Sequence, residues 1–270
     1  MAVVETPARY PGATWAESPH HWPGHKGRKA VVIHINEGHF ESSIAYMLRT
    51  GTSAHFEVGA DGRIAQLVGV QDSAWCNGLS YHALTRRWVC PHGHVVSPSW
   101  DQLDPADENP NWTTLSIENE GFSGRLLPPA QFQANVDLLV WLGARFPSLV
   151  PYTVGRTLIG HSHLDSVDKA RCPGSGVSLV ALAEAANTIL GADLLMWQAA
   201  WAARGVPLPA EQVGWAIPQL YKAWARNLGA CVVPETYLSP DFSIALFERG
   251  FIYYSKPLNR AMVELVALGA

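Results

Sequence analysis

The sequence predicts an α/β domain followed by a small, mainly helical C-terminal domain. Short β-branched apolar runs that end in turn residues alternate with segments whose apolar residues recur at helical spacing, and this alternation is typical of α/β proteins. After Gly191 the composition changes to several Trp and Tyr residues with helix-like blocks. We therefore expect an irregular arm rich in Pro, Gly and His over residues 1–30, a main domain over 31–191 and a helical domain over 193–270.

The first elements predicted are a strand, a helix and a hairpin. Residues 29–35 (KAVVIHI) form a β-branched apolar run that ends in the turn residues 36–38, and the apolar spacing from Phe40 to Leu48 predicts a helix. Two alternating runs, 55–58 and 63–68, flank Asp61-Gly62, which is the residue pair most typical of a β-hairpin turn.

Later elements follow from the same criteria. We expect a strand over 115–119, a helix over 129–146, a strand over 157–161 and a helix over 177–190. Residues 76–112 show little periodicity, which predicts a long surface excursion of the kind that is often functional. The C-terminal domain contains helix-like blocks at about 193–204, 211–228 and 257–268.

Composition excludes several classes of protein. The 270 residues are 48% hydrophobic and 16% charged, which excludes a disordered chain, and the net charge of −4 gives no basic field for nucleic acid. The chain has no apolar run of about 18 residues and no signal-like N-terminus, so we expect synthesis in the cytoplasm without a membrane span. Four scattered cysteines without a C-x-x-C pair indicate reduced thiols.

The stretch 159-IGHSHLDSVDKARCPG-174 contains the strongest candidate for chemistry. His161 ends a predicted strand, His34 ends another, and Cys172 lies in the loop that follows His161. If the two strands are neighbours, both imidazoles emerge at one sheet edge, which would give the three protein ligands of a zinc hydrolase with a fourth position for water. The same residues also allow a nucleophilic Cys172 with a histidine base, or a polar loop without chemistry.

Five blocks in order resemble a known family, the zinc-dependent N-acetylmuramoyl-L-alanine amidases of the amidase-2 type. This family includes phage lysozyme-like endolysins and peptidoglycan recognition proteins. The blocks are 31-VVIHINEG-38, 53-SAHFEVGADGRIAQLV-68, 72-DSAWCNG-78, 116-SIENEG-121 and 160-GHSHLDSVDKARCPG-174. The resemblance runs from about residue 30 to residue 190, and it implies a central mixed β-sheet flanked by helices with the zinc ion at the sheet edge.

The resemblance also implies roles for individual residues. His34, His161 and Cys172 match the ligands of one zinc ion. Glu118 matches the catalytic glutamate of many relatives, which takes a proton from water and later gives it to the departing amine. Glu120 is the alternative if the strand register is shifted.

The expected oxyanion residue and the substrate contacts follow from the same matches. Relatives often carry a lysine two residues before the third ligand. That position is Ala170 here, so Lys169 is favoured for the oxyanion and Arg171 stays an alternative. Trp75, His55 and Asn119 are expected to bind substrate.

The sequence departs from the family pattern in further places. Ala54 stands where phage-lysozyme-like members carry a tyrosine, which leaves the proton transfer to Glu118. The family's Trp-His pair is Trp75-Cys76 here, which removes a histidine from the cleft. His163 forms a His-x-His pair with His161, but the family position favours His161 as the ligand.

The implied function is hydrolysis of the amide bond between N-acetylmuramic acid and L-alanine in peptidoglycan. An endolysin that reaches the wall after membrane opening is favoured, because lysins often append a wall-binding module, and the tryptophans of 193–270 are candidates for such a binding platform. Those tryptophans at helical spacing are also typical of a core. The alternatives are a cytosolic amidase that recycles muropeptides and a peptidoglycan-binding module without turnover. A monomer is the expected oligomeric state.

Overall fold

The computed structural model describes residues 9–202, 231–239, 242–247, 250–255 and 260–265. The chain divides into two compact units. The larger unit comprises Ala8–Leu139 and Ser148–Ala186, and the other contains Val140–Pro147 and the described residues from Asn187 onward. The candidate site lies entirely in the larger unit.

The described residues form fifteen strands and three α-helices. The strands of the larger unit are β1 (Thr14–Trp15), β2 (His21–Trp22), β3 (Ala30–Ile33), β4 (Phe56–Val58), β5 (Ile64–Gln66), β6 (Ser73–Ala74), β7 (Ser80–His82), β8 (Arg87–Val89), β9 (Val95–Val96), β10 (Thr114–Asn119) and β11 (Leu158–Gly160). The strands nearer the C-terminus are β12 (Cys231–Ser239), β13 (Phe242–Phe247), β14 (Gly250–Ser255) and β15 (Arg260–Leu265). The helices are α1 (Phe40–Arg49), α2 (Pro129–Arg145) and α3 (Leu179–Ala202), and short 3-10 turns cover Pro105–Asp107, Pro110–Trp112, Pro147–Leu149 and His161–His163.

The central sheet is mixed, as predicted, with the strand order β1-β5-β4-β10-β3-β11. Strands β4, β10, β3 and β11 pair in parallel, whereas β5 pairs with β4 antiparallel. The four residues of β3 are all fully buried, which explains why its sequence, AVVI, is continuously apolar instead of alternating. The predicted arm, residues 1–30, contributes β1 to the edge of this sheet and β2 to a pairing with β6.

Helices α1 and α2 form where the apolar spacing predicts them. Phe40 and Met47 of α1 pack in one cluster with the core residues Ala54 and Leu67. Helix α2 begins at Pro129, a residue that suits the first helical turn because its missing N–H has no intrahelical partner there. In its first two turns, the amide of Gln131 donates to the carbonyl oxygen of Val58, which fixes α2 against β4.

The predicted hairpin joins β4 and β5 through residues 59–62. Gly59 donates a backbone hydrogen bond to Arg63, and Gly62 donates one to Gly59. Gly62 has a φ of +86°, in the left-handed region that residues with a Cβ adopt only with strain. The Asp-Gly pair therefore identified this turn because the conformation requires glycine.

Residues 76–112 are more regular than the sequence indicates. They contain a three-stranded antiparallel sheet, β7-β8-β9, which packs on the central sheet instead of forming an irregular surface excursion. Leu79, Cys90 and Trp100 from this segment share one buried cluster with Val32 of β3 and Ile159 of β11. The strands are only two or three residues long, so they show no sequence periodicity. This segment is anchored to the two strands that carry the candidate histidines.

The C-terminal part differs from the sequence-based expectation. Helix α3 continues from Leu179 through Gly191 to Ala202, so no helix ends at the predicted boundary. The helix predicted over 257–268 is wrong for residues 260–265, which form β15 in the antiparallel sheet β12-β13-β14-β15. Pairing with β14 supplies the backbone hydrogen bonds that a helix would have made internally. The predicted helix 211–228, with Trp215 and Trp224, lies outside the described residues, whereas Trp197 and Trp201 lie on α3.

The helices in the described part of the chain include none with the length and apolar character that a bilayer crossing requires.

One carboxyl group in the central sheet is buried, although a charged carboxylate is more stable in water. Glu57 of β4 is fully buried, and its two oxygens accept hydrogen bonds from Asn36 Nδ2 at 2.5 Å and Ser43 Oγ at 2.8 Å. Burial, and secondly the charge of Glu118, raise the pKa of Glu57 well above the usual 4.5. Glu57 therefore keeps its proton to a higher pH in the folded protein than in the unfolded chain.

We predict that Glu57→Gln makes stability less dependent on pH. Because the folded pKa is raised, this group favours folding fully below about pH 4.5 and loses that contribution as the pH rises toward the folded value. Glutamine mimics the protonated acid, so the variant should lose less stability than the parent chain as the pH rises above about 4.5. Urea unfolding at several pH values measures this difference. If the free energy of unfolding depends on pH in the same way in the two proteins, Glu57 is not uncharged in the folded state.

Candidate metal centre

The two candidate histidines follow neighbouring parallel strands. β3 lies between β10 and β11, and Ile33, the last residue of β3, is in register with Gly160, the last residue of β11. His34 and His161 are the next residues along each chain segment, so parallel pairing places them side by side at the carboxyl edge of the sheet. The arrangement expected from the sequence, two imidazoles at one sheet edge, is therefore present.

The three candidate ligand atoms converge on one point. His34 Nδ1 lies 3.0 Å from His161 Nδ1, and Cys172 Sγ lies 3.9 Å from His34 Nδ1. A tetrahedral zinc ion with bonds of about 2.0–2.1 Å to nitrogen and about 2.3 Å to sulfur holds such N···N pairs about 3.3 Å apart and N···S pairs about 3.6 Å apart. The observed distances bracket these values, so the donor set fits a zinc ion with only small adjustments.

Both imidazoles have the protonation state that a metal ligand needs. Burial lowers the pKa of His34 well below its usual value and lowers that of His161 to about 4, and the positive charge of Lys169 acts on both in the same direction. Two nitrogens that face each other at 3.0 Å can share at most one proton, and a neutral ring keeps a lone pair for a cation. The rings are therefore neutral donors at physiological pH.

The loop after His161 returns Cys172 to the same point. The backbone N–H of Ser162 donates to the carbonyl of Cys172, and the N–H of Ile35 donates to Cys172 Sγ at 3.4 Å. Burial, with Glu118 nearby, raises the pKa of the Cys172 thiol to about 12. Such a thiol is a poor nucleophile without a cation, which disfavours the alternative of Cys172 acting with a histidine base.

Cys76 and Asn77 orient the two imidazole rings. Cys76 Sγ lies 3.5 Å from His34 Nε2, and His161 makes a hydrogen bond to the backbone of Asn77. Hydrogen bonds of this kind fix the ring orientation and tautomer of metal-binding histidines. Sequence reasoning treated Cys76 only as a lost histidine, and no periodicity or spacing links residues 76–77 to His34 and His161.

Glu118 of β10 lies beside the candidate centre. Its Oε1 is 3.9 Å from His34 Nδ1 and accepts a hydrogen bond from the Cys76 thiol at 3.7 Å. Its buried Oε2 has no hydrogen-bond partner among the described residues. Burial raises the pKa of Glu118 to about 7, although the hydrogen bond from Cys76 and the charge of Lys169 act in the opposite direction. This carboxylate is positioned to exchange a proton with a group bound at the centre.

The alternatives for the base and the second histidine point elsewhere. Glu120 follows the end of β10, where its carboxylate accepts from the backbone N–H of Ala60 and contacts His39 Nδ1 at 3.3 Å. His163 Nδ1 accepts a hydrogen bond from the backbone N–H of Gly160 at 3.1 Å. Both side chains bond to groups that are not part of the candidate centre, so the geometry favours Glu118 and His161.

Lys169 is the cation that acts on the centre. Its side chain is exposed, and its charge lowers the pKa values of His34, His161 and Glu118. Arg171 is also exposed, but its charge does not contribute to the pKa shifts of His34, His161 and Glu118. Of the two basic residues weighed from the sequence, Lys169 is the one whose field reaches the site.

Trp75 belongs to an aromatic cluster next to Cys76. Its half-buried ring lies 5.7 Å from the ring of His20 and 5.3 Å from that of Trp22, and Trp22 stacks on Trp112 at 4.9 Å. We call this cluster the aromatic wall; the Trp75 ring is tilted by 49° from that of Trp22.

His55 and Asn119, which the sequence predicts to bind substrate, make hydrogen bonds within the protein. Both are buried. The N–H of Ser116 donates to His55 Nδ1, and the opposite ring nitrogen is 3.0 Å from the carbonyl oxygen of Asp72. Asn119 Nδ2 donates to the carbonyl of His34, and its oxygen accepts from Asn135. These side chains position β10 and the end of β3, and their polar atoms are occupied within the protein.

Comparison with known proteins identifies the family. A family model described as N-acetylmuramoyl-L-alanine amidase matches residues 24–175. The chain belongs to this family. The matched region contains every candidate site residue, and membership supports amidase activity on peptidoglycan. A comparison with curated protein sequences gives no significant match.

Solved structures of amidases resemble this chain at low identity. An AmpD derivative is 19% identical, with 68% of this chain and 99% of AmpD covered and a TM-score of 0.49. AmiD from E. coli, in complex with the substrate anhydro-N-acetylmuramic acid-L-Ala-D-gamma-Glu-L-Lys, is 24% identical, with 62% and 63% covered and a TM-score of 0.44. AmpDH3 from Pseudomonas aeruginosa, in complex with anhydromuramic pentapeptide, is 21% identical, with 79% and 78% covered and a TM-score of 0.45.

A second donor set shares His34 and defines a test of the ligand assignment. His34, Cys76 and Glu118 also place one donor atom each within 4.8 Å of one another. We expect Cys172→Ser to lower bound zinc by one equivalent per chain. Cys76→Ser should retain that equivalent, with affinity weakened by about 10-fold because only the orientation of His34 is disturbed. Metal analysis after dialysis against graded chelator measures both, and the opposite pattern would assign the ion to the Cys76 set.

Proposed function

We propose that the chain is a zinc-dependent hydrolase that cleaves the amide bond between N-acetylmuramic acid and L-alanine in peptidoglycan. The observation that supports this most directly is the convergence of His34 Nδ1, His161 Nδ1 and Cys172 Sγ beside the Glu118 carboxylate. Three protein donors with one position left open are the usual composition of a catalytic zinc site. A bound zinc ion supplies a Lewis acid that polarises an amide carbonyl and lowers the pKa of water.

Glu118 is the general base and then the general acid in this proposal. Its raised pKa of about 7 lets it hold or release a proton near neutral pH. It takes a proton from the attacking water and then donates that proton to the amine of L-alanine as the C–N bond breaks. The Glu118 side chain is only 18% exposed, which limits exchange of this proton with bulk water.

Lys169 stabilises the negative charge that develops on the carbonyl oxygen. Its ammonium group is exposed at the rim of the centre, and its field already reaches the buried groups there. A fixed positive charge favours the tetrahedral oxyanion more than the neutral amide, which lowers the barrier. The exposed position also leaves Lys169 free to approach a bound substrate.

Two surfaces beside the centre suit the two halves of the substrate. The aromatic wall formed by Trp75 and Trp22 offers apolar rings for stacking against a sugar face. A groove is lined by Ile35, Phe122 and Arg125, with Glu120 also in its lining, and the Arg125 guanidinium lies 5.4 Å from the Phe122 ring centre. A cation in this groove complements the carboxylates of an acidic stem peptide. Trp75 therefore keeps its proposed role, whereas His55 and Asn119 act in positioning.

We further propose that the chain acts as a phage-type endolysin on the intact cell wall, with its C-terminal segment as a candidate wall-binding module. The extension beyond the matched family region, residues 176–270, supports this proposal because wall-acting lysins often carry such additions. The complete set of donors supports turnover over a peptidoglycan-binding module without catalysis.

We predict that Glu118→Gln lowers kcat by about 100-fold or more while zinc stays bound, because glutamine keeps the shape but takes up no proton. Release of muropeptides from purified sacculi measures the rate. Metal analysis of the same sample separates loss of the base from loss of the ion. Activity close to that of the parent chain would remove Glu118 from the mechanism.

We predict that Lys169→Met lowers kcat by about 100-fold, the usual effect of removing an oxyanion-stabilising group. Arg171→Met is the matched control, since it removes an equally exposed cation two residues away on the same loop. The control should keep most of the activity. Equal losses in the two variants would indicate a general effect of loop charge on substrate attraction.

We predict that the full chain releases stem peptides from intact sacculi faster than it cleaves soluble anhydro-muropeptides. Each product should carry a new N-terminal L-alanine, which end-group analysis detects. Rapid cleavage of soluble fragments with no release from sacculi would favour the recycling function. Binding to sacculi without any cleavage would favour the binding module.

A further inference from the structure

A second cluster of metal-type donors lies outside the proposed zinc centre. It comprises Cys90, His92 and His94 from the short sequence 90-CPHGH-94, together with Asp168 from the loop that follows His161. None of these residues belongs to the proposed catalytic set. Sequence reasoning gave them no role, since Cys90 and Asp168 are separated by 78 residues.

A tight turn between β8 and β9 presents the three residues of the sequence motif together. The backbone N–H of Cys90 donates to the carbonyl of His94 at 3.0 Å, and that of Gly93 donates to the carbonyl of Cys90 at 2.9 Å. Gly93 has a φ of +82°, which the reversal requires. The turn therefore brings the side chains of Cys90, His92 and His94 to one carboxylate.

The Asp168 carboxylate is the meeting point of the cluster. Its Oδ2 lies 3.0 Å from Cys90 Sγ and 2.7 Å from His92 Nδ1, and its Oδ1 lies 2.9 Å from His94 Nδ1. Donor atoms of Cys90, His94 and Asp168 all lie within 4.8 Å of one another. His92 lies outside this set of three, but its Nδ1 bonds to the same carboxylate oxygen as Cys90 Sγ, so rotation of its exposed side chain can bring it in as a fourth donor.

Asp168 is held in place from its own side. The buried side chain of Asp165 accepts hydrogen bonds from the backbone N–H groups of Val167 at 3.0 Å and Asp168 at 2.9 Å. The segment is also joined to residues 76–112, because the N–H of Ser99 donates to the carbonyl of His163 at 2.9 Å. Both parts of the cluster are therefore preorganised by backbone hydrogen bonds.

We propose that Cys90, His92, His94 and Asp168 bind a second, structural zinc ion. One thiolate, two imidazoles and one carboxylate are all zinc ligands, and four protein donors are the usual number in a structural site. The donor distances of 2.7–3.0 Å are slightly shorter than those around zinc, as is the 3.0 Å distance between His34 and His161 at the first centre. Binding needs the three contacts of Asp168 to lengthen by about half an ångström, His92 to rotate toward the other donors, and the thiol to release its proton.

The exposure of the cluster suits uptake of an ion from solution. Cys90 is 3% exposed, whereas the side chains of His92 and His94 are 71% and 58% exposed. The buried thiol forms the floor of the site, and the two histidines close over it from the solvent side. The histidines can rotate outward to admit the ion without disturbing the core.

The second ion would fasten the small β7-β8-β9 sheet to the loop that carries the catalytic groups. Asp168 immediately precedes Lys169 and is four residues before Cys172. A crosslink at Asp168 restricts the positions available to Lys169 and reduces the freedom of the segment that delivers Cys172. The role of this ion is positional, so it does not depend on the reaction proposed at the first centre.

Zinc stoichiometry in the full chain tests the proposal. The parent chain, dialysed after expression in zinc-supplemented medium, should contain two equivalents, and Cys172→Ser should contain one. Adding His94→Gln or Asp168→Asn to Cys172→Ser should remove the remaining equivalent. His94 is solvent-facing, so its replacement leaves the fold intact, which the circular dichroism spectrum checks. His82→Gln, which changes an exposed histidine of the same small sheet, is the matched control and should keep that equivalent.

Cobalt substitution gives a second readout that does not depend on activity. The Cys172→Ser chain loaded with Co²⁺ should show a thiolate-to-cobalt charge-transfer band, and Cys90→Ser in that background should abolish it. A Cys172→Ser chain that is folded but contains no zinc and shows no such band would overturn the second site. In that case the cluster is a hydrogen-bonded contact only. The proposed function is judged separately, by zinc and hydrolysis in the parent chain.

Discussion

Parallel pairing of β3 with both β10 and β11 is the constraint on which the candidate site depends. Parallel neighbours end at the same sheet edge, so the residues that follow β3 and β11 meet there, and Glu118 near the end of β10 lies beside them. The continuous burial of β3 keeps this strand in the centre of the sheet. A single arrangement of backbone hydrogen bonds therefore brings together residues separated by 127 positions.

Burial at this edge determines the charge states. It lowers the proton affinity of His34 and His161, which leaves neutral imidazoles, and it raises that of Glu118 and Cys172. Apart from the charge of Lys169, no cation offsets the burial of these acidic groups among the described residues. A bound divalent cation would do so, and for this reason the donor chemistry and the electrostatics lead to the same proposal.

Residues 76–112 act as the outer support of the site. Cys76 contacts His34, and the backbone of Asn77 bonds to His161. Trp112 of this segment belongs to the aromatic wall. The turn from Cys90 to His94 contacts Asp168 on the loop before Cys172. A segment without recognisable periodicity thus contacts both the histidines and the loop that bears Lys169. Its own apolar residues pack against β3 and β11, which keeps these contacts in a fixed relation to the sheet.

The sequence by itself determined the strands β3, β4, β5, β10 and β11, the helices α1 and α2, the Asp-Gly hairpin and the family, because each leaves a local pattern or an ordered set of motifs. It also singled out His34, His161, Cys172 and Glu118. Only the tertiary structure decided that His55 and Asn119 are occupied within the protein, that Cys76 faces His34, and that Cys90 meets Asp168. The β15 strand was likewise missed, since its backbone hydrogen bonds come from β14. Contacts between distant segments depend on how strands pair and loops return, and no local spacing in a single sequence records them.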